Sequence, residues 1–247
     1  MSASLVTYEA TDGIAVITLN RPDKLNALSP ELGQELLAVW RRFNAADERV
    51  AILTGAGPKA FSAGADLSNP PELWSFIPGA GIDVDKPIVA AINGLCVGGG
   101  WILAQHCDLA VASETARFIY PEAKVAISGG FIAGLAARIP HKIAMEMIMM
   151  CRPMPAERAY QVGLVNKVVS QGQHVTEAIA WGHEIAGFAP LVLKTIKRFV
   201  IDGVLAQGPS EVMARTHRDL AEVRESADGA EGRQAFKEKR KPRFEGR

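Results

Sequence analysis

The chain has 247 residues and no net formal charge, because 27 Lys and Arg residues balance 27 Asp and Glu residues. Apolar residues make up 48% of it and charged residues 22%, which is typical of a globular protein and excludes disordered, collagen-like and coiled-coil chains. A neutral chain has no bulk field for nucleic acid or anionic membranes, so any phosphate recognition is expected to be local. The length suits one large domain or a core with a small appendage.

Cysteine usage and apolar runs bear on the cellular compartment. Cys96, Cys107 and Cys151 are an odd count without a CxxC pair, and the first residues lack a basic segment followed by an apolar stretch. The apolar runs fall well short of the roughly 18 residues that a membrane span needs. We therefore expect a cytoplasmic protein with neither a membrane nor a nucleic acid as partner.

The first half of the chain alternates between strand and helix patterns. Residues 6–10 and 14–19 predict a hairpin around a Thr-Asp-Gly turn. Ser29-Pro30-Glu31 supplies an N-cap, a first-turn proline and a first-turn acid, and apolar residues follow at helical spacing up to residue 44. Buried strands are predicted at residues 50–54, 87–92 and 109–112. This alternation predicts an α/β core with parallel strand pairing.

Helical patterns dominate the chain from Lys142 onward. We predict helices, one strand and a solvated basic tail there: helices at residues 142–151, 156–162, 175–188, 191–204 and 210–225, the strand at 164–169 and the tail at 236–247. The helices are expected to pack on the core or on a neighbouring subunit. Residues 68–85 are rich in Pro and Gly but carry apolar side chains, so they either line a pocket or form a surface loop.

Three glycine-bearing segments are candidates for chemistry. Residues 55–60 fit G-x-G-x-x-A after a strand, but Pro58 interrupts the helix that a dinucleotide site needs, so that cofactor is disfavoured. Residues 61–67 place small residues around Gly64, and Gly98–Gly100 leads from a strand into a helix expected to end near His106. Glycines at a helix start let backbone N–H groups approach a ligand, although tight packing alone also explains them.

Together with other pieces in the same order, these segments resemble the crotonase (enoyl-CoA hydratase/isomerase) superfamily. The matching pieces cover nearly the whole chain: residues 20–22, 26–28, 54–55, 61–67, 85–87, 93–94, 98–100, 107–108, 121–122, 163–165 and 238–240. The resemblance implies a crotonase-like β/α spiral core at residues 1–190 and C-terminal trimerising helices at 191–247, in a homotrimer or homohexamer. It also implies an acyl-CoA substrate and no separate cofactor, because CoA is part of that substrate.

The resemblance also assigns roles to individual residues. In that family two backbone N–H groups, which match Ala65 and Gly99 here, form an oxyanion hole for a CoA thioester carbonyl. A glutamate that matches Glu122 acts as acid and base. Further substrate-site positions are implied near these three: Ala63, Asp66, Leu67, Ser68 and Ile102. Residues that match Phe236 and Lys239 lie near the adenosine end of CoA, often across a subunit boundary.

Two departures from the family pattern bear on the reaction. Ile102 stands where hydratases of the family carry a second glutamate, and isoleucine can neither hold a proton nor orient water. Enoyl-CoA isomerases share this pattern and use one base, so we expect a single-glutamate enzyme rather than an efficient ordinary hydratase. The segment 128–134 also departs, which predicts a reshaped acyl pocket. A non-catalytic acyl-CoA binding protein is the alternative from another class.

Two further side chains near these positions have possible chemical roles. His106 lies four residues after Ile102, hence on the same helix face, but a buried histidine bonded to a carbonyl is favoured over a catalytic one. Ser128 lacks a G-x-S-x-G context, so a hydrolase is disfavoured. No H-E-x-x-H or paired-cysteine spacing occurs, and no metal is predicted.

Overall fold

Two β-sheets form the framework of the computed structural model, which describes residues 4–247. The larger sheet has six strands in this spatial order: β1 (Val6–Thr11), β2 (Ile14–Leu19), β3 (Val50–Gly55), β5 (Ile88–Ile92), β7 (Leu109–Ser113) and β10 (Lys167–Val169). The smaller sheet has four: β4 (Ala60–Ser62), β6 (Leu95–Val97), β8 (Arg117–Ile119) and β9 (Met154–Pro155). All neighbouring strands are parallel except at the ends, where β1 is antiparallel to β2 and β9 to β8.

Helices lie between and after the strands. Those of the described chain are α1 (Pro30–Ala45), α2 (Gly99–Gln105), α3 (Glu122–Val125), α4 (His141–Met150), α5 (Ala156–Gln161), α6 (His174–Ala186), α7 (Pro190–Phe199), α8 (Pro209–Glu225) and α9 (Ala227–Lys237). A 3₁₀ turn at Leu73–Phe76 and another at Phe131–Ala137 lie in the longer connections. Within residues 4–247, no helix combines the length and apolarity that crossing a bilayer requires.

The chain visits the two sheets alternately. Each of β3, β5 and β7 in the larger sheet is followed directly by β4, β6 or β8 in the smaller one. The chain therefore makes three successive turns, and each turn adds one strand to each sheet. This is the β/α spiral that the sequence resemblance implies. As a result, the ends of β4, β6 and β8 lie side by side although they are far apart in sequence.

The centre of the larger sheet is buried on both faces. One side of β3 contributes Ala51 and Leu53 to a core shared with α1 and the smaller sheet. The other side contributes Val50 and Ile52 to a second cluster with Ala178 of α6. A strand covered on both faces reads as an uninterrupted apolar run, which explains why this strand was predictable from sequence.

The first helix forms as its sequence signals predict. The Ser29 hydroxyl accepts a hydrogen bond from the Leu32 N–H at 3.3 Å and Pro30 opens the first turn. Such caps contribute about 1 kcal/mol to helix stability. Leu36 and Trp40 then face the core with no exposed surface. The predicted hairpin and the three predicted buried strands are also confirmed, with ends shifted by one residue at most.

The predicted C-terminal helices are confirmed, but two details there are wrong. The strand predicted at residues 164–169 is only β10, because the N–H groups of Leu164 and Val165 bond back to the Ala159 carbonyl of α5. Part of the predicted solvated tail belongs to α9, which Ser226 caps through its hydroxyl. The residues after α9 fold back onto it, since Asp228 accepts hydrogen bonds from the N–H groups of residues 245 and 246. The division of the chain at residue 190 remains a prediction.

Candidate active site

The carboxyl ends of β4, β6 and β8 bring together the three positions predicted to carry the chemistry. Ala65 follows β4 by three residues, Gly99 follows β6 by two, and Glu122 follows β8 by three. The strands are adjacent and parallel, so all three positions lie at the same sheet edge. Ligands of open α/β sheets bind outside this edge, which makes it the candidate active site.

The loops carrying Ala65 and Gly99 are in direct contact. A methyl group on Gly64 would lie 2.7 Å from the Val97 carbonyl oxygen, closer than a real side chain is found, and 3.3 Å from the Gly99 nitrogen. Gly64 also has a φ of +87°, a conformation that favours glycine. A glycine at this position therefore lets the two backbone segments approach each other.

In the described part of the chain, the N–H groups of Ala65 and Gly99 form no hydrogen bond, whereas those of the residues on either side of Ala65 do. The Gly64 N–H donates to the Ser62 hydroxyl, and the Asp66 N–H donates to the Leu28 carbonyl at 2.8 Å. Within residues 4–247, the N–H groups of Ala65 and Gly99 donate no hydrogen bond. Two unbonded donors in adjoining loops can together receive one oxygen atom of a ligand.

The three glycines Gly98–Gly100 allow α2 to pack closely against β4. Gly98 has a φ of +49° and turns the chain from β6 into the helix. A methyl group on Gly100 would lie 2.6 Å from Ser62 Cβ and 2.9 Å from the Ser62 carbonyl oxygen, where no side chain fits. The first turn of α2 therefore packs on the β4 backbone, which keeps Gly99 beside the Ala65 loop.

Glu122 is the first residue of α3 and is half-buried. Its Oε2 atom is enclosed and has no hydrogen-bond partner. The Tyr120 hydroxyl, which is also enclosed and unpartnered, lies beside it. Burial and, next, this carboxylate raise the pKa of Tyr120 far above its ordinary range, so the phenol keeps its proton at physiological pH.

Ile102 lies in the core with 1% of its surface exposed. It is one helical turn after Gly99 and belongs to the same apolar cluster as Leu103 and Phe131. Hydratases with the family pattern carry a second glutamate at this position, whereas here a packed hydrocarbon side chain occupies it.

The segment between β4 and residue 68 is fixed by Arg21, which sequence reasoning did not identify as a site residue. Arg21 pairs with Asp66 at 2.8 Å and bonds the Ala27 carbonyl. Hydrogen bonds from Ser68 and then from Arg21 lower the pKa of Asp66 to about 2. Only the resemblance placed Arg21 within a matching piece, since a lone arginine in a loop carries no local signal of its partner.

The remaining predicted substrate-site residues divide into two groups. Ala63 lies in the same loop, where its N–H bonds the Leu25 carbonyl, and Leu67 is 61% exposed beside it. Phe236 is 85% exposed and Lys239 is also exposed at the end of α9, which packs on α8. Within the described chain, neither Phe236 nor Lys239 is therefore packed against the candidate site.

His106 belongs to a different cluster, as the sequence prediction favoured. Its Nδ1 lies 3.1 Å from the Pro78 carbonyl oxygen, and its Nε2 lies 3.2 Å from the buried Glu211 carboxylate. Arg138 pairs with the same carboxylate at 2.9 Å. These groups line a cavity of about 290 Å³ at the far end of α2. Burial lowers the pKa of His106, while Glu211 opposes that shift.

Two disfavoured alternatives, a dinucleotide site and a serine hydrolase, find no support in the geometry. Gly55 ends β3 and the chain enters β4 five residues later, so no helix follows the glycines as a dinucleotide site requires. Ser128 is exposed, and its hydroxyl accepts a hydrogen bond from the Gly130 N–H. Among residues 4–247, no three His, Cys, Asp or Glu side chains are grouped as metal ligands would be.

Comparison with known proteins agrees with this geometry. The family model for enoyl-CoA hydratase/isomerase matches residues 9–247. The chain is 35% identical to (E)-benzylidenesuccinyl-CoA hydratase of Thauera aromatica, covering 98% of this chain and 99% of that one. It is 39% identical to carnitinyl-CoA dehydratase of Citrobacter koseri, covering 95% of each.

Solved structures give the same result. The crystal structure of carnitinyl-CoA hydratase from Mycobacterium avium covers 100% of both chains with a TM-score of 0.78 and 33% identity. An enoyl-CoA hydratase from Mycobacterium tuberculosis H37Rv has a TM-score of 0.76 and 33% identity, covering 99% of this chain and 100% of that one. The chain therefore has the crotonase fold and belongs to the enoyl-CoA hydratase/isomerase family of acyl-CoA enzymes.

Proposed function

We propose that this protein forms the enolate of an acyl-CoA thioester, with Ala65 and Gly99 as the oxyanion hole and Glu122 as the single acid/base. The supporting observation is the shared edge of β4, β6 and β8, where two unbonded N–H groups and one carboxylate come together. Deprotonation next to a thioester carbonyl moves negative charge onto its oxygen. Donors fixed where that charge develops contribute about 3 to 4 kcal/mol each to transition-state stabilisation.

Glu122 carries the proton in this proposal. A carboxylate takes a proton from the α-carbon as the enolate forms, and the enolate oxygen is held by the two N–H groups. Returning the proton to the γ-carbon of a 3-enoyl-CoA moves the double bond and yields the 2-enoyl-CoA. The proton count balances on Glu122 alone, and no water is consumed.

Ile102 is the reason to favour this proton transfer over hydration. The relatives are named hydratases and a dehydratase, and adding water as the family does uses two carboxylates facing one water molecule. Here the second position is a buried aliphatic side chain. We therefore propose isomerisation, or another single-base reaction, as the main activity.

The decisive experiment follows proton exchange in deuterated water. With a saturated short-chain acyl-CoA and a 3-enoyl-CoA as probes, the parent should incorporate deuterium at the α-carbon and isomerise the enoyl substrate. Glu122→Gln should slow both by at least about a hundredfold and leave acyl-CoA affinity nearly unchanged, because it keeps the shape and removes the base. Glu146→Gln changes an exposed glutamate of α4 and is the matched control.

Two outcomes would contradict the proposal. Full activity in Glu122→Gln would place the base elsewhere. Tight acyl-CoA binding by the parent, without exchange or conversion of any enoyl-CoA, would instead identify a non-catalytic acyl-CoA binding protein.

We also propose that the chain works as a homotrimer or homohexamer. The amphipathic helix α7 has no buried residue and exposes the following apolar side chains by more than half: Leu191, Val192, Ile196 and Phe199. Such a surface is typical of an interface between subunits. In the assembly, Phe236 and Lys239 would meet CoA bound to a neighbouring copy, and a monomer by light scattering at micromolar concentration would contradict this.

A further inference from the structure

A parallel β-bridge between Leu28 and Ala65 sets the direction of the Ala65 N–H group. The Leu28 N–H donates to the Gly64 carbonyl, and the Asp66 N–H donates to the Leu28 carbonyl, both at 2.8 Å. In this pairing the residue between the two bonded neighbours turns its own N–H group to the opposite side, because peptide groups alternate along an extended chain. The direction of the proposed oxyanion donor therefore depends on this bridge.

Arg21 joins the two segments of the bridge through its side chain. Its Nη1 lies 2.8 Å from Oδ2 of Asp66 and 3.3 Å from the Ala27 carbonyl oxygen. These two partners are the chain neighbours of the bridged residues Leu28 and Ala65, so one cation bonds both segments beside the bridge. The side chains of the ion pair are 21% and 17% exposed, and partly buried pairs are screened less than exposed ones.

The backbone of Arg21 is itself held in place. Its N–H donates to Oδ1 of Asn26, and the backbone N–H of Asn26 donates to the Arg21 carbonyl. Asn26 is fully buried, and its amide nitrogen bonds the carbonyls of Ala56 and Ala60 at 2.9 Å. Ala60 begins β4, so the arginine is anchored to the strand that leads into the Ala65 loop.

Both carboxylate oxygens of Asp66 are engaged inside the protein. Oδ2 accepts the hydrogen bond from Arg21, and Oδ1 accepts one from the Ser68 N–H at 3.1 Å and one from the Ser68 hydroxyl at 2.6 Å. The resemblance places Asp66 and Ser68 among the substrate-site residues. These contacts give both of them a part in fixing the loop.

We propose that Arg21 is a positioning residue for the oxyanion hole: by joining the two segments of the Leu28 bridge, it fixes the direction of the Ala65 N–H group. The inference rests on the proposed function in assigning that N–H group to the thioester carbonyl. Donors stabilise a developing charge best when they are already fixed in place, and a displacement of about 1 Å costs about a hundredfold in rate. Loss of Arg21 should therefore slow the chemical step more than it weakens binding.

The first test measures how strongly the site polarises the bound thioester in Arg21→Gln, which removes the cation and keeps a polar side chain. The probe is a saturated short-chain acyl-CoA with carbon-13 at the thioester carbonyl, whose infrared stretch falls in frequency when donors polarise it. We expect Arg21→Gln to lose most of this downward shift and to lower kcat for α-proton exchange at least about tenfold, with KM within about twofold of the parent. A variant that is merely less stable would keep the shift in its folded fraction.

The second test follows the bridge itself and needs no ligand. Because the Asp66 N–H is bonded in the bridge, hydrogen exchange of a peptide spanning residues 61–69 reports whether the bridge stays closed. In Arg21→Gln this N–H group should exchange at least about tenfold faster than in the parent. Arg21→Lys keeps a cationic donor for Asp66 and should recover part of the bridge protection, of the carbonyl shift and of kcat.

Arg49→Gln is the matched control. Arg49 also bonds a backbone carbonyl through its guanidinium, with Nη1 2.7 Å from the Ala186 oxygen. It precedes β3 at the amino end of that strand, whereas the candidate site lies at the carboxyl ends of β4, β6 and β8. Its substitution should leave the carbonyl stretch, kcat and the exchange of residues 61–69 unchanged.

The outcomes separate the two proposals. Unchanged bridge protection in folded Arg21→Gln overturns the positioning role, and so does a retained carbonyl shift in a variant whose bridge has loosened. If the bridge loosens while the parent itself leaves the thioester unpolarised, the role of Arg21 in fixing the loop stands and the proposed function fails. Equal effects in Arg49→Gln would overturn the inference, because they would not be local. If Arg21→Gln does not fold, Asp66→Asn weakens the same ion pair from its other side and is judged by the same measurements.

Discussion

Replacing Ile102 with glutamate tests whether this position decides between proton shuttling and hydration. The new carboxyl group would stand one helical turn after Gly99 and share the site with Glu122. Two carboxyl groups facing one water molecule give acid/base catalysis of hydration, and a positioned acid or base contributes about 10² to 10⁴-fold. We expect Ile102→Glu to hydrate crotonyl-CoA at least tenfold faster than the parent, provided that Glu122 is intact.

The structure also sets the cost of this substitution. Full burial of an isoleucine side chain stabilises the fold by about 1.5 to 3 kcal/mol, and burying a polar group without a partner costs about 1 to 3 kcal/mol. Because Ile102 is 1% exposed, the variant should lose about 2.5 to 6 kcal/mol of unfolding free energy. A typical domain has about 5 to 15 kcal/mol in total. The variant is therefore expected to fold with a lowered Tm, which must be measured before its activity is compared.

The assay follows loss of the conjugated thioester absorbance of crotonyl-CoA. Ile102→Gln is the control, because it has a similar polar burial cost and no titratable group. A gain in Ile102→Gln equal to that in Ile102→Glu would refute the reasoning. So would a folded, CoA-binding Ile102→Glu variant without any gain, or a parent that already hydrates crotonyl-CoA with kcat on the order of 10 to 1000 per second.

Two other substitutions test contacts at the two ends of α2. Gly100→Ala should reduce exchange activity by about a hundredfold, because its methyl group would meet Ser62 Cβ at 2.6 Å and push α2 away; Gly203→Ala, which meets nothing within 4 Å, should be silent in the same assay. Glu211→Gln should lower the unfolding free energy by about 3 kcal/mol at pH 7, as Glu211 has its pKa lowered to about 2. Burial opposes that shift, and hydrogen bonding with His106 and the charge of Arg138 outweigh it. The stabilisation exists above pH 4.5 and vanishes as the pH falls towards 2, so urea unfolding at pH 7 and pH 3 should show a shrinking difference, and a constant difference would contradict the assignment.

The parts of the fold with strong local patterns could be predicted from sequence. The first helix has a cap and apolar residues at helical spacing, and the inner strands of the larger sheet, β2, β3, β5 and β7, are mainly apolar runs of five or six residues. The strands of the smaller sheet could not be predicted in this way, because β4, β6 and β8 have three residues each and show no periodicity. Helix α9 was missed because glycines and charges obscure its pattern.

The candidate site was predictable only through the family resemblance. Ala65 and Gly99 are proposed to act through backbone N–H groups, so their side chains carry no chemical signature. Glu122 beside a proline looks like a surface residue until β8 is seen next to β6.

The proposed site uses different groups for two tasks, polarising the thioester and moving the proton. One task could therefore change during evolution without the other. In the proposed mechanism, polarising the thioester depends on the backbone at Ala65 and Gly99, and this backbone is fixed by glycine contacts and by the pairing of β4, β6 and β8. The proposed path of the proton depends on side chains at the same edge, namely Ile102 and Glu122. Changing those side chains leaves the two N–H donors in place. A variant with altered proton transfer should therefore still bind acyl-CoA, which is why affinity and exchange must be measured together in every test of this site.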